Sequence, residues 1–289
     1  MLKAIIISMR PEQWIKNLFV LAPLLFSQNL LDLEMFFRAF LGFLIFCGAS
    51  GAIYLVNDVK DIEEDRSHPK KAARPVASGR LSVMTAVVSA ILLSGLCLGV
   101  SWFLSSGFAA ILLIYLTLNL LYSFILKELV IIDVMTISAG FVLRVLAGSA
   151  VIDVPTSQWV LICTALIALF LGFSKRRHEL ILQENGAVSS RKVLSQYSPY
   201  FLDQMIAVVT ASTVMSYALY TVSKETVEKF QTSNLIYTVP FVLYGIFRYL
   251  YLVHQKDRGG NPAQIMLSDK PMMLNVILWV VVVLAVLYQ

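Results

Sequence analysis

The stretch Asn57-Asp58-Val59-Lys60-Asp61-Ile62-Glu63-Glu64-Asp65-Arg66 directly follows an apolar run at residues 36–56. Asp58, Asp61 and Asp65 stand at i, i+3 and i+7, which puts three carboxylates on one face if the helix of the apolar run continues. Hard divalent cations such as Mg²⁺ bind clusters of oxygen ligands, usually shared with substrate phosphates and water. Because an unneutralised trio beside a membrane would repel itself, the spacing predicts a cation-binding helix face.

The composition of the whole chain indicates an integral membrane protein. Hydrophobic residues make up 58% of the 289 positions and charged residues 14%, and the mean hydropathy is +0.77, far more apolar than a soluble domain. Nine apolar runs are long enough to cross a bilayer. They are residues 14–31, 36–56, 83–104, 107–126, 130–152, 157–174, 203–222, 235–253 and 272–288. With no linker-like tract between them, we expect an all-α membrane bundle in one domain over 1–289.

The net charge of +5 follows membrane topology and does not indicate a nucleic-acid partner. If the N-terminus lies inside, 18 of the 23 Lys and Arg residues fall in inner segments, as the positive-inside rule requires. We therefore expect a multi-pass protein of the inner cell membrane, with its N-terminus and the long loops 57–82 and 174–202 in the cytoplasm. The first dozen residues lack the pattern of a secretory signal, so we expect no cleavage.

The two long inner loops carry the groups that suit phosphate chemistry. In the first, Arg66 and Arg74 follow the acids and could meet phosphate oxygens; a solvated, charge-balanced loop is the alternative. The second opens with Ser174-Lys175-Arg176-Arg177-His178-Glu179. Its three cations suit an anion, and Glu179 a cation or a substrate hydroxyl, although topological anchoring also explains the cluster. Together with the acidic face, the cluster predicts a diphosphate site.

Shorter segments add single candidates. Lys16 lies beside Trp14 at the inner interface, where membrane anchoring is the alternative to substrate binding. Tyr122 and Lys127 close the fourth run. Arg144 lies well inside the fifth run, where an unpartnered charge is costly, so it either holds backbone carbonyls or contacts substrate. The sequence does not decide between these two roles.

Several common catalytic arrangements are missing from the sequence. The three histidines form no ligand set, the three cysteines fall inside apolar runs without paired spacing, and no Ser/His/Asp triad can be assembled. Neither a Walker sequence nor a Gly-rich dinucleotide fingerprint is present. These absences weigh against hydrolytic and ATP-driven functions.

The pattern Asn57-Asp58-x-x-Asp61-x-x-x-Asp65 resembles the hallmark of the UbiA-type prenyltransferase superfamily, which follows the second of nine helices. Further segments extend the resemblance over nearly the whole chain, and within the superfamily it is most similar to the decaprenyl-phosphate phosphoribosyltransferases. These segments are Arg10-Pro11-x-Gln13-Trp14-x-Lys16-Asn17, Arg74-Pro75-x-Ala77-Ser78-Gly79, Tyr122-Ser123-x-x-Leu126-Lys127, Gly140-Phe141-x-Leu143-Arg144 with Ala147-Gly148, and Lys175-Arg176-Arg177-x-Glu179. Where general prenyltransferases carry a second Asp-rich motif, this chain has the basic cluster.

The resemblance implies a Mg²⁺-dependent transfer of the 5-phosphoribosyl group from phosphoribosyl diphosphate to a polyprenyl phosphate of the decaprenyl type. It implies catalytic roles for Asp58, Asp61 and Lys127, and a metal site at Asp58, Asp61 and Asp65. The implied substrate contacts are Lys16, Asn57, Arg66, Arg74, Tyr122, Lys127, Arg144, Lys175, Arg176 and Glu179. Two alternatives remain open: prenyl transfer from a prenyl diphosphate to an aromatic or other small acceptor, and a transporter or scaffold. Homo-oligomer formation is also left open.

Overall fold

The computed structural model describes residues 1–69, 71–184, 192–256, 265 and 268–288. Within these ranges the chain is helical and contains no β-strand. The α-helices are α1 (Leu2–Ser8), α2 (Ala22–Phe26), α3 (Leu33–Lys60), α4 (Ile62–Ser67), α5 (Val83–Leu104), α6 (Ser106–Phe124), α7 (Ile132–Ile152), α8 (Gln158–Glu184), α9 (Pro199–Val222), α10 (Lys224–Phe230), α11 (Val239–Gln255) and α12 (Lys270–Leu287). The 3₁₀ segments are Pro11–Leu21, Leu126–Glu128, Lys192–Gln196 and Asn234–Thr238. Residues 185–191 of the predicted loop 174–202 lie outside the described ranges.

Eight of the described helical stretches are long and apolar enough to cross a membrane: α3, α5, α6, α7, α8, α9, α11 with the 3₁₀ turn before it, and α12. The predicted all-α membrane architecture is therefore confirmed. The first predicted run, 14–31, does not form one long helix: the chain there forms the 3₁₀ segment Pro11–Leu21 followed by the short α2. Pro11 and Pro23 lack the backbone N–H that a helix interior uses, and Lys16 and Asn17 interrupt the apolar sequence.

A capping side chain marks the start of most of the long helices and of the short α10. Each capping side chain has an oxygen that accepts a hydrogen bond from the backbone N–H three residues later, which satisfies one of the free donors of the first turn. The caps are Asp32 for α3, Ser82 for α5, Ser105 for α6, Ser198 for α9, Ser223 for α10 and Asp269 for α12. The helix starts are therefore set locally by single polar residues.

The described residues form two compact units. The N-terminal unit is Met1–Thr156, and the C-terminal unit is built from α8 onward. In the N-terminal unit α3 and α7 are the most buried of the long helices. Phe46 of α3 packs against Phe108 and Tyr115 of α6, with ring centroids 6.0 and 5.0 Å apart. The expectation of a single domain over 1–289 stays a prediction.

The C-terminal unit joins its helices through a few buried or part-buried polar contacts. The Tyr217 hydroxyl of α9 bonds with Thr238 at 2.8 Å and accepts a hydrogen bond from Trp279 Nε1 of α12 at 3.0 Å. Arg248 of α11 donates two hydrogen bonds to Asp269, the cap of α12. Such paired contacts are needed because unpaired polar groups are costly inside a bilayer.

Candidate active site

The acidic motif stays in helical register although α3 ends inside it. Asp61 is the junction between α3 and α4, and its backbone N–H donates to Asn57 O at 2.9 Å. The N–H of Asp65 in turn donates to Asp61 O at 2.8 Å. Asp58 and Asp65 are almost completely buried, with 1% and 0% of their surface exposed. A buried carboxylate needs a partner of opposite charge.

Arginine side chains from two different segments supply the partners of Asp58. Arg10, just before the 3₁₀ segment Pro11–Leu21, donates a short charge-assisted hydrogen bond to Asp58 Oδ1. Arg74 lies between two carboxylates: its Nη1 is 3.5 Å from Asp58 Oδ1 and 2.5 Å from Asp65 Oδ2. The first and last aspartates of the motif therefore share one guanidinium group.

The other carboxylate oxygen of Asp65, Oδ1, is poorly satisfied. Among the described residues, Asp65 Oδ1 accepts no hydrogen bond although it is buried. The ammonium group of Lys71 is 3.9 Å away, within ion-pair range but too far for a hydrogen bond. A buried carboxylate oxygen in this state is suited to accept a cation.

Asp61 pairs with a lysine that lies 66 positions later in the N-terminal unit. Lys127, in the 3₁₀ turn Leu126–Glu128, places its Nζ 2.7 Å from Asp61 Oδ1. The neighbouring Ser123 hydroxyl of α6 donates to Asn57 Oδ1, which holds Asn57 beside the motif. Tyr122 is half-buried on the same helix. The structure thus brings the predicted residues Asn57, Asp61 and Lys127 together.

Arg10 was not predicted as a site residue, although the sequence contains a signal for it in the Arg10-Pro11 pair. Its backbone is left-handed, with φ 53° and ψ 67°, which is uncommon for a residue with a Cβ. Its guanidinium carbon lies 4.7 Å from the centroid of the Tyr54 ring, on the turn of α3 that precedes Asp58. Strained backbone is retained where the surroundings enforce it, frequently at functional sites.

The 3₁₀ segment Pro11–Leu21 is eleven residues long, whereas such runs seldom exceed three or four. Side-chain hydrogen bonds hold its middle: Asn17 Nδ2 donates to Ser50 Oγ at 3.1 Å and to Cys47 Sγ at 3.3 Å. Its end packs on α7 at Gly148, where a Cβ would lie 2.9 Å from the Val20 carbonyl carbon and closer still to its oxygen. Only glycine allows this approach.

Lys16 lies on this segment beside buried Asn17 and is itself half-buried. Burial, together with the nearby positive charges of Arg144 and Arg10, lowers the pKa of Lys16 from 10.5 to about 8. An ammonium group with a reduced pKa and few neighbouring anions is suited to bind an added phosphate, which would restore its charge.

Arg144 of α7 uses its guanidinium inside the protein. Nε donates to Asn17 Oδ1, Nη1 to Gly140 O and Nη2 to Tyr115 Oη, each at 2.8 Å. The guanidinium carbon of Arg144 also lies 4.8 Å from the centroid of the Tyr115 ring, and the residue is 7% exposed. These contacts favour the structural alternative over direct substrate contact. Arg144 connects α6 and α7 to the 3₁₀ segment.

Arg66 differs from the other predicted arginine of its loop. It donates to Ala77 O at 3.2 Å and pairs with Glu63 at 3.2 Å on the exposed side of α4. Arg74, in contrast, reaches two of the motif carboxylates. The contacts of Arg66 therefore resemble those of a loop-anchoring residue, and its predicted role in substrate binding stays a prediction.

The basic cluster belongs to the C-terminal unit, at the end of α8. Arg176 is 1% exposed and its Nη1 donates to Glu179 Oε2 at 2.6 Å. Lys175 is 3.8 Å from the other oxygen of Glu179. Arg177 points to a different partner, Asp203 of α9, at 2.5 Å. The three predicted residues Lys175, Arg176 and Glu179 therefore meet on one side of α8.

The donor chemistry of the acidic motif suits a hard divalent cation. Within the described ranges, no three Asp, Glu, His or Cys side chains converge as a ready metal site, and the three motif carboxylates pair with basic side chains. The three aspartates nevertheless offer oxygen ligands of the kind Mg²⁺ prefers, including the buried Asp65 Oδ1 that accepts no hydrogen bond. The predicted ligand set Asp58, Asp61 and Asp65 stays a prediction.

Known proteins resemble this chain over almost its full length. The decaprenyl-phosphate phosphoribosyltransferase of Corynebacterium glutamicum is 35% identical over 97% of this chain and 86% of the relative. The enzyme of the same name from Mycolicibacterium smegmatis is 32% identical over 100% of this chain and 93% of the relative. Similarity that covers both partners nearly end to end indicates a shared architecture.

The fold is also similar to that of solved membrane proteins. The structure of a UbiA homolog from Archaeoglobus fulgidus bound to GPP and Mg²⁺ aligns with a TM-score of 0.72 over 99% of this chain and 100% of that chain, at 17% identity. The sequence profile of the UbiA prenyltransferase family matches residues 18–277, which span both units. The chain therefore belongs to the UbiA prenyltransferase family.

Proposed function

We propose that the protein transfers the 5-phosphoribosyl group from phosphoribosyl diphosphate to a polyprenyl phosphate of the decaprenyl type and releases diphosphate. The observation that carries this proposal is the near end-to-end similarity, at 30–35% identity, to relatives named decaprenyl-phosphate phosphoribosyltransferase. The protein is then a membrane-bound pentosyltransferase whose two substrates both carry phosphate. The basic and acidic side chains described above are of the types that such substrates require.

In this reaction the bond between the anomeric carbon of the donor and its diphosphate breaks. An oxygen of the polyprenyl phosphate forms the new bond to that carbon, and diphosphate leaves with the electron pair. The acceptor is already an anion at neutral pH, so the reaction needs no strong general base. Catalysis then rests on positioning the two substrates and on stabilising the developing charges.

The residues of the N-terminal unit have distinct roles in this proposal. Asp58, Asp61 and Asp65 would hold Mg²⁺, which would neutralise charge on the leaving diphosphate. Lys127 and Arg74 bind oxygens of the diphosphate, and Asn57 is held beside them by Ser123. Lys16 binds the acceptor phosphate. Mg²⁺ in the structure of the A. fulgidus homolog supports the choice of metal.

Lys175, Arg176 and Glu179 of the C-terminal unit are proposed to bind the phosphoribosyl donor. A donor with an additional 5-phosphate carries more negative charge than a prenyl diphosphate, and lysine and arginine match that charge without a second metal. Glu179 already pairs with both basic residues. In this role it keeps their side chains in place until phosphate binds.

The topology completes the proposal. The protein lies in the inner cell membrane with its N-terminus and both motif loops on the cytoplasmic side, as the distribution of 18 of 23 basic residues supports. Phosphoribosyl diphosphate is too highly charged to cross a bilayer unaided and would reach the site from the cytoplasm. The prenyl tail of the acceptor remains in the apolar phase of the membrane.

The test is a direct comparison of donors with the purified full-length protein and Mg²⁺. Phosphoribosyl diphosphate with decaprenyl phosphate should yield a lipid whose mass increases by one phosphoribosyl group. The matched variant is Asp61→Asn, which should lose most turnover while the protein remains folded in detergent. Wild-type turnover in this variant, or no ribosylated lipid from the wild type, contradicts the proposal.

A second candidate is prenyl transfer to an aromatic or other small acceptor. The fold similarity to a homolog bound to GPP and Mg²⁺ favours it, because the acidic motif suits any diphosphate. The same experiment separates the two functions. A prenylated small acceptor formed from a prenyl diphosphate, with no product from phosphoribosyl diphosphate, supports the second candidate.

A further inference from the structure

The carboxylates of the acidic motif form ion pairs with the basic side chains around them. Asp58, Asp61 and Asp65 face four cations from other segments. These cations are Arg10, Lys71, Arg74 and Lys127. The acidic groups that could bind a metal and the basic groups that could bind a diphosphate are thus both present, but they are paired with each other; the buried Asp65 Oδ1 accepts no hydrogen bond among the described residues.

We propose that these ion pairs form an exchange site. The carboxylates bind Mg²⁺ only when a diphosphate binds the basic side chains that the metal displaces. Arg10 is one of these diphosphate ligands. This inference rests on the proposed function only for the identity of the diphosphate-bearing substrate. It adds Arg10 as a binding residue, and it adds the requirement that the metal and the diphosphate bind together.

The first step of the argument is competition for Asp58. Arg10 and Arg74 both contact Asp58 Oδ1, and a metal that uses this oxygen must displace them. The carboxylate is almost completely buried, so its attraction for these cations is weakly screened by water. Mg²⁺ by itself therefore competes against ion pairs that already exist, and should bind weakly.

The second step is the unfavourable free energy of leaving the displaced arginines without a counter-charge. The side chains of Arg10 and Arg74 are only 22% and 26% exposed, and a partly buried guanidinium without a counter-charge is unfavourable. A diphosphate supplies oxygens that arginine binds through two parallel hydrogen bonds. The anion therefore offsets the cost that the metal imposes, and the metal offsets the repulsion between the anion and the aspartates.

The third step is the placement of Arg10 after release. Its guanidinium carbon lies 4.7 Å from the Tyr54 ring centroid, and Tyr54 precedes Asp58 by one turn of α3. The ring is a second support that is independent of the carboxylate. Arg10 can therefore leave Asp58 without leaving the site, which is the property that an exchangeable diphosphate ligand needs.

Arg74 makes the exchange concerted across the motif. Because the Arg74 guanidinium lies 3.5 Å from Asp58 and 2.5 Å from Asp65, a metal at either aspartate disturbs the partner of the other. Lys127 and Asp61 form the parallel pair at 2.7 Å. The coupling must be reciprocal: if diphosphate strengthens metal binding, the metal strengthens diphosphate binding by the same factor.

Equilibrium binding of Mg²⁺ and of inorganic diphosphate to the full chain in detergent tests the exchange. Wild-type protein should bind Mg²⁺ at least about tenfold more tightly when diphosphate is present. In Arg10→Gln, Mg²⁺ alone should bind about tenfold more tightly, because its competitor is gone, whereas diphosphate in the presence of Mg²⁺ should bind about tenfold more weakly. Since metal and diphosphate also associate in solution, variants are compared at identical total concentrations.

Matched variants separate exchange from a loss of positive charge. Arg80→Gln removes a cation of the same loop region, whose exposed side chain bonds to Ala73 O and Ser78, and should change neither affinity. Lys127→Gln should repeat the opposite shifts at Asp61 and keeps the test valid if Arg10→Gln is unstable. Weaker binding of both ligands in both folded variants, or unchanged binding of Mg²⁺ alone, overturns the proposal.

The outcome is independent of which donor the protein uses. If the protein transfers a prenyl group, the opposite shifts persist, because that donor also carries a diphosphate. If phosphoribosyl transfer is observed and the opposite shifts are absent, the exchange proposal alone fails.

Discussion

Arg144 Nε donates a hydrogen bond to Asn17 Oδ1 at 2.8 Å, although 127 positions separate the two residues in the chain. The bond connects the middle of α7 to the 3₁₀ segment Pro11–Leu21, which contains Lys16. The same arginine bonds to Tyr115 of α6. A buried charge inside the membrane region therefore orients the segment that we propose to bind the acceptor phosphate.

Replacing Arg144 should loosen this segment. Arg144→Met removes three hydrogen bonds to a charged donor, and bonds of this kind contribute about 1.5–3 kcal/mol each in favourable cases. We expect a lower thermal unfolding temperature in detergent and a raised KM for polyprenyl phosphate, with a smaller change in KM for the donor. Arg144→Lys keeps the charge but lacks the planar fork, so it should recover only part of both effects. Unchanged stability in Arg144→Met would contradict the structural role.

Gly148→Ala tests the same segment from the other side. An added Cβ meets the Val20 carbonyl, and overpacking of this type costs about 1–3 kcal/mol. We expect reduced thermal stability together with a raised KM for the acceptor, measured on the purified protein. The matched control is Gly99→Ala in α5, where nothing lies within 4 Å of the added atom; it should be neutral or stabilising. Equal effects of the two substitutions would argue against close packing at Gly148.

The reduced pKa of Lys16 predicts a pH dependence. With a pKa of about 8, the ammonium group is charged below pH 8 and loses its proton as the pH rises through that value. A neutral amine binds phosphate less well, so kcat/KM for the acceptor, which reports on the free enzyme, should fall above about pH 8. Lys16→Arg stays charged throughout and should move this decline to higher pH. An identical profile in the variant would exclude Lys16 as its source.

The basic cluster of α8 should act on the donor. Lys175 is more exposed than Arg176, so Lys175→Ala removes a charge with little effect on packing. We expect a raised KM for phosphoribosyl diphosphate and little change in KM for polyprenyl phosphate, measured in steady-state kinetics. Lys224→Ala, on α10 with its side chain 88% exposed, is a control for loss of a lysine. Equal changes in KM for both substrates would indicate that the cluster serves membrane topology and does not bind the donor.

The orientation is tested by accessibility. Ser78 and Ser233 are both exposed, and the proposed topology places them on opposite sides of the membrane. In a variant without Cys47, Cys97 and Cys163, a cysteine at position 78 should resist a membrane-impermeant thiol reagent until cells are opened. A cysteine at position 233 should react in intact cells. Labelling of position 78 in intact cells would reverse the topology and remove access for a cytoplasmic donor.

The sequence by itself determined the membrane architecture and the position of the acidic motif. Crossing a bilayer depends on the local density of apolar residues over about 20 positions, so eight long helices agree with the predicted runs. The register of Asp58, Asp61 and Asp65 is likewise a property of a continuing helix. Neither feature depends on contacts with distant residues.

Only the tertiary structure decided which charges meet. Arg10 reaches Asp58 across 48 positions and Lys127 reaches Asp61 across 66, and ion pairs so distant in sequence leave no local periodicity. The structure also turned the predicted run 14–31 into a 3₁₀ segment, because Asn17, Gly148 and Arg144 hold that backbone through contacts with α3 and α7. Hydrophobicity is a local property of the chain, whereas the pairing of buried charges depends on the packing of the whole unit.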